Sequence, residues 1–178
     1  RLLNLLRGIL LSMQNNSDEE LRKQIRSLLK NDRNLGSYGL NGDVVAGEVQ
    51  LQGIVDTLME KKWAEDLVRQ VPGIKGVANA ISISTDGSIT DQDIIQEVQE
   101  ELEGDPDGNP YEIGVADVNR GKVVLAGRSN DPAQIDVAIK TASKARGVTE
   151  VISQVKQDEE VLTPEDIFHS QVNNDEES

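Results

Sequence analysis

The chain has 178 residues, 32 of them acidic and 18 basic, for a formal net charge of −14. A field of that sign repels phosphate backbones and anionic lipid headgroups, so nucleic acid is excluded as an expected partner. With no cysteine there is no disulfide, thiolate metal site or sulfur nucleophile, and at 2% aromatic content the core has to come from Val, Ile, Leu and Ala, with few platforms for stacking bases or sugars.

The chain opens with RLLNLLRGILLSMQNN, residues 1–16. It begins at Arg1 rather than Met, which leads us to expect an upstream piece that has been cut away or left out. No stretch holds about 18 uninterrupted apolar residues, so a complete spanning helix is not predicted. The leucines instead predict an amphipathic leading helix. Leu2, Leu3, Leu6, Ile9, Leu10 and Met13 would dip into acyl chains, with Arg1 and Arg7 at the headgroups. The same residues also fit an ordinary helix packed on a domain or on a second subunit.

Ser17-Asp18-Glu19-Glu20 has the Ser-x-x-Glu form of a capping box, and Leu21, Ile25, Leu28 and Leu29 follow at helical spacing, so a first helix is expected to start here. Val44-Val45 and then Val49 and Leu51 flank Ala46-Gly47, which predicts a β-hairpin with Gly47 at positive φ in the turn. Gly53 is expected to end the second strand. Asp56-Thr57 opens a second helix whose apolar stripe reads Met59, Trp63, Leu67, Val71. Trp63 fits core or inter-domain packing, and otherwise an exposed anchor for a partner. Gly73 stops that helix, and Val77 to Ile83 form a last strand.

The whole series then recurs. GEVQLQG at 47–53 meets GKVVLAG at 121–127, and Gly73-Ile74-Lys75-Gly76-Val77 meets Gly147-Val148-Thr149-Glu150-Val151, both at an offset of 74 residues. Upstream the offset is 73, with Asp32 on Asp105 and Tyr38 on Tyr111, so one residue is inserted between Tyr111 and Gly121. Thr90-Asp91-Gln92-Asp93 is a weaker version of the first cap, followed by Ile94, Ile95, Val98 and Leu102. Asn130-Asp131-Pro132 opens the second helix of this copy, where Ala133, Val137, Thr141 and Ala145 take the stripe positions. One folding unit with a single insertion explains this order. The predicted fold is α+β: two repeated α-β-β-α-β domains, each a three-stranded mixed sheet on two helices. The expected boundaries are a leading helix 1–16, a first domain 17–84, a linker 85–89, a second domain 90–157 and an acidic tail 158–178.

Helix, Gly-x-Val-x-Leu-x-Gly hairpin, helix, then Gly-[Val/Ile]-x-x-Val with Asn79 shortly after resembles the BON domain of bacterial osmotically inducible and nodulation proteins, over roughly 17–84 and 90–157. The resemblance implies a non-enzymatic module of envelope and stress proteins that binds phospholipid surfaces or other envelope components, with no fixed catalytic residues and no cofactor. The glycines and apolar positions carry over as determinants of fold only. One departure concerns the second copy, whose first helix holds Asp93, Glu97, Glu100, Glu101 and Glu103 without a basic anchor, a face that an anionic bilayer rejects.

Catalysis has little to work with. His169 stands in the tail without an orienting partner. Gly114 to Lys122 is too long for a phosphate loop, and Val123 stands where its metal-binding Ser or Thr belongs. In Asp105, Asp107, Asn109 and Glu112, oxygen ligands at alternate positions open like a calcium loop; Pro110 then replaces the turn glycine and Ala116 the final Glu, which fits a plain turn. The reading is a non-enzymatic binding or scaffolding protein of the cell envelope, extracytoplasmic or periplasmic. Its candidate contacts with a membrane surface or envelope protein are Leu2, Leu3, Leu6, Arg7, Leu10 and Trp63, and the leading helix also offers a route to a homo-oligomer. The alternative is a soluble cytoplasmic stress protein that responds to potassium or calcium.

Overall fold

The computed structural model describes residues 1–84, 87, 89–105 and 112–157, except for the side chains of 14–16. The first unit runs α1 (Leu2–Asn31), β1 (Asn41–Val45), β2 (Glu48–Val55), α2 (Leu58–Arg69) and β3 (Gly76–Ile83). The second repeats it with α3 (Asp91–Gly104), β4 (Ile113–Asn119), β5 (Lys122–Arg128), α4 (Pro132–Ala142) and β6 (Glu150–Lys156). In each unit the hairpin strands pair antiparallel and the last strand joins the second one in parallel, giving sheets β1-β2-β3 and β4-β5-β6. The duplicated α-β-β-α-β architecture expected from the repeat is the architecture observed.

The single insertion can be located. Val44 pairs with Val49 and Gly42 with Leu51, while Val118 pairs with Val123 and Val115 with Leu125, and the register of β4 on β5 shifts between Val115 and Asp117. Ala116 is therefore the extra residue, absorbed as a β-bulge that leaves the hairpin turn unchanged.

Local chemistry accounts for most boundaries. Ala46-Gly47 and Arg120-Gly121 form the two-residue turns, with both residues of each at positive φ, as the right-handed twist of a hairpin favours. Thr57 caps α2 reciprocally with Glu60, and Asp131 caps α4 ahead of Pro132. The closing glycines differ from expectation. Gly53 and Gly127 lie inside their strands at φ +140° and +146°, and a Cβ on Gly127 would meet the Glu112 carbonyl oxygen at 1.6 Å. Positive φ together with close approach, of the Glu112 backbone at Gly127 and of the Leu40 side chain at Gly53, and not strand termination, explains their side-chain-free positions.

Two other expectations are corrected. Ser17 does not start a helix; α1 runs unbroken from Leu2 to Asn31, because residues 14–17 contain neither Pro nor Gly to interrupt it. The capping box forms instead on Thr90 with Asp93 in the second unit. The face of α2 that meets the sheet carries Ala64 and Val68; of the expected stripe, Leu67 and Val71 are half-buried against the same core, whereas Met59 and Trp63 are exposed. Small Ala64 lets the helix approach closely, and that phase turns the bulkier stripe outward. In the second unit Thr141 and Ala145 of the expected stripe are buried, together with Ala138 and Ala142, while Val137 is half-buried and Ala133 is exposed.

Each unit has its own core. Leu21, Ile25 and Leu29 pack with Val49, Leu51 and Ile81 in the first, and Ile94, Val98 and Leu102 with Val123 and Leu125 in the second. Leu58, at the start of α2, is buried in the core of the second unit, and Ile83 touches both cores.

Candidate functional site

The leading half of α1 is the most conspicuous apolar surface. Leu2, Leu3, Leu5, Leu6, Ile9, Leu10, Leu11 and Met13 are 47–82% exposed. At about 100° per residue, all of these except Leu11 fall within an arc of about 160°. That arc is centred about 120° around the helix from the stripe Leu21, Ile25, Leu29 that packs on the sheet. The leading face is thus not a continuation of the domain-packing face. It points elsewhere on a rigid rod of about 45 Å, anchored at its other end by the first core. Arg7 lies about 40° beyond one edge of the apolar arc and Arg1 precedes the helix. Among the described residues, no helix is long and apolar enough to cross a membrane.

Trp63 lies apart from that segment. It is 41% exposed, and its indole N–H donates to the Asp32 carboxylate at 3.0 Å. With Met59, Lys62 and Asp66 from α2, and Lys140 and Ser143 from the second unit, it lines a cleft of about 270 Å³ between the units. The Met59 N–H in the first turn of α2 donates to the carbonyl of Ser143, the C-cap of α4, at 3.0 Å, so one helix ends where the other begins. Nothing in the helical spacing of α2 signalled the role of Leu58 or Ser143 here. The structure therefore divides the candidate contact residues in two: Leu2, Leu3, Leu6, Arg7 and Leu10 on the rod, Trp63 in the cleft.

The acidic candidates are not gathered into a ligand set by anything described. Asp105 accepts a hydrogen bond from the Thr141 hydroxyl and an ion pair from Lys144 at 3.6 Å. Glu112 is exposed, and Asp107 and Asn109 lie outside the described residues, as does His169. Among the described residues, no three His, Asp or Glu side chains are grouped to hold a metal ion.

One repeated contact escaped the sequence reading. Asp18 on α1 accepts the N–H groups of Ala46 and Gly47 at 2.7 and 3.0 Å. Asp91 on α3 accepts those of Arg120 and Gly121 at 3.0 and 3.1 Å. The 73-residue offset between these aspartates was the available signal, hidden because each was read as part of a helix cap.

The model of the BON domain matches this chain twice, over residues 17–85 and 90–159. The chain belongs to the BON domain family. BON domains are non-catalytic binding modules, and the two matched segments coincide with the two folded units. No curated protein matches the chain. Two similar solved structures are of CdsD, a structural protein of the type III secretion system of Chlamydia trachomatis. One is 16% identical over 79% of this chain and 63% of that one, with a TM-score of 0.32. The other, a C-terminal domain, is 15% identical over 87% and 72%, with a TM-score of 0.33. The chain thus spans less than two thirds of the first of them.

Proposed function

We propose that this tandem BON-domain chain is a non-enzymatic binding and scaffolding protein of the bacterial cell envelope, working on its extracytoplasmic side. In this reading it associates with a phospholipid surface through the leading half of α1. The observation that carries the proposal is the uncovered apolar arc from Leu2 to Met13, rigidly continuous with the helix that the first BON domain holds. Each such side chain withdrawn from water contributes about 1.5–3 kcal/mol, so the arc as a whole is enough to hold a folded domain at an interface. The bulk negative charge faces the other way in this picture, since the acidic α3 is repelled by anionic headgroups.

Flotation of the whole chain with phospholipid vesicles tests the proposal. The wild type is expected to co-float, and L3E/L6E/L10E, altered only at exposed positions, is expected to stay at the bottom of the gradient with an unchanged circular dichroism spectrum. Wild-type protein that does not float, or a variant that floats equally well, overturns the reading. Capture of an envelope protein lost in the same variant, without flotation, would assign the arc to a protein partner instead.

A further inference from the structure

The first helices of the two BON units differ in the sign of their charge, although only Lys30 and Glu103 are opposite charges at equivalent positions. Residues 22–32 of α1 and its cap hold Arg22, Lys23, Arg26 and Lys30 against Asp32, a net +3 within a chain of net −14. The equivalent residues 95–105 hold Glu97, Glu100, Glu101, Glu103 and Asp105 and no base, a net −5. Lys23, Arg26 and Lys30 on α1 and Glu100 and Glu103 on α3 stand at exposed positions away from the buried stripes, whereas Arg22 pairs with Glu19 and Asp43, Glu101 is half-buried, and Glu97 and Asp105 pair with Arg146 and Lys144. Lys23, Arg26 and Lys30 are exposed and form no ion pair among the described residues, and the same holds for Glu100 and Glu103. The two faces do not neutralise each other within one chain.

The placement of the acids also works against the helix that carries them. Glu101 and Glu103 occupy the last turn of α3 and Glu100 immediately precedes it, where the helix dipole disfavours negative charge and the helix supplies no basic residue of its own, while Lys144 and Arg146 pair with Asp105 and Glu97. In α1 the charge sign agrees with the dipole, with Lys30 in the last turn. The acidic end of α3 is thus maintained against local electrostatics, as expected of a surface that meets a cationic partner.

We infer that the basic face of α1 docks on the acidic face of α3 in a second copy of this chain. Charge complementarity singles out that occupant. The chain itself supplies both signs, on equivalent helices of two superposable units, so one copy presents to the next the face it can bind. An anionic membrane would match α1 but leave the acidity of α3 without a role. This contact is separate from the leading apolar arc and does not rest on the membrane reading.

Sedimentation equilibrium on the full chain tests it by charge exchange. The wild type is expected to self-associate at low salt, about 50 mM, and to dissociate at about 500 mM, where exposed pairs are screened; association through apolar surface does not weaken with salt in this way. K23E/R26E/K30E and E100K/E101K/E103K are each expected to lose self-association by about tenfold or more. An equimolar mixture of the two variants, and a chain carrying both sets of changes, are expected to regain it. Because all three α1 positions and two of the three α3 positions are exposed, circular dichroism should show the variants folded; a misfolded variant is replaced by the neutral set K23Q/R26Q/K30Q, for which the same loss is expected. A monomer at low salt, or variants that associate like the wild type, overturns the inference. So does failure of the mixture to re-associate while binding to anionic vesicles falls in the α1 variant, which would give the basic face to lipid.

Discussion

The Asp18 carboxylate accepts the N–H of Gly47 at 3.0 Å, tying the side of α1 to the tip of the first hairpin. Its second oxygen takes the Ala46 N–H, so both donors of a turn with positive φ are satisfied by one buried side chain. Asp91 makes the same pair of bonds in the second unit. Duplication has preserved a device that fixes where the hairpin stands against the first helix of each BON domain.

Replacing Asp18 by Ala leaves two turn donors without their acceptor in a poorly solvated place. We expect a loss of about 1–3 kcal/mol, and a smaller loss for Asp91→Ala, whose site is half-exposed and lets water substitute. Urea denaturation followed by circular dichroism reads both. Equal midpoints for wild type and D18A would show that the turn is held by other means.

The repeated glycines predict a graded series. Gly121 has φ +78°, and a Cβ there would come within 2.5 Å of the Gly147 carbonyl oxygen, while Gly114 has nothing within 4 Å and no positive φ. Gly121→Ala should cost more than the about 1–2 kcal/mol of left-handed strain alone. Gly114→Ala should be neutral within about 0.5 kcal/mol. Thermal melts of the two variants decide it, and equal melting temperatures would contradict the assigned backbone geometry.

Features written in local backbone chemistry were legible in the sequence. The hairpin turns, the Thr57 cap, the Asp131-Pro132 start and the presence of a last strand after each second helix follow from residue types at short spacing, and their repetition marks two units. Features decided by packing across the chain were not. Met59, Trp63 and Leu67 form as good a helical stripe as the one containing Ala64 and Val68; only the close approach of α2 to the sheet selects the second. Ser17 looks like a cap, but capping needs an interruption that residues 14–16 do not supply, and Asp18 is committed to the hairpin. The leading apolar residues of the candidate site were readable because nothing but their own pattern defines that face. The cleft beside Trp63 was not, since Lys140 and Ser143 reach it from the other unit.

Leu58 predicts coupling between the units. It belongs by sequence to the first BON domain and is buried in the core of the second, next to the Met59–Ser143 hydrogen bond. Leu58→Ala should cost about 2–5 kcal/mol, the usual range for a buried leucine, and the loss should fall on the second unit. In urea the wild type is expected to unfold in one transition, and L58A in two, the earlier one belonging to the second unit. Hydrogen exchange of β5 and β6 amides assigns it. A single unshifted transition in L58A would mean that the two units fold independently of this side chain.

Asp32 and Trp63 give the protein an acid-sensitive reporter of its own. Desolvation pushes the Asp32 carboxyl upward, but hydrogen bonds from the Trp63 indole and from the N–H groups of Asn34 and Leu35 together outweigh it, so the group is held below the usual carboxylate range. A depressed carboxyl contributes stability above its unfolded value of about 3.9 and loses it as pH falls through the lower folded value. Protonation replaces the charge-assisted bond from the indole N–H by a weaker neutral one, and because Trp63 is the one tryptophan in the chain, its fluorescence reports that step without interference. Between about pH 5 and pH 2 we expect an emission change in the wild type whose midpoint lies below the ordinary carboxylate range. Asp32→Asn should abolish the step; its single amide oxygen cannot accept both from the Trp63 indole and from the Asn34 and Leu35 N–H groups, so its pH-independent emission should already differ from that of the wild type at neutral pH. A step of the same size and midpoint in D32N would assign the titration to other carboxylates and remove Asp32 as the anchor of Trp63.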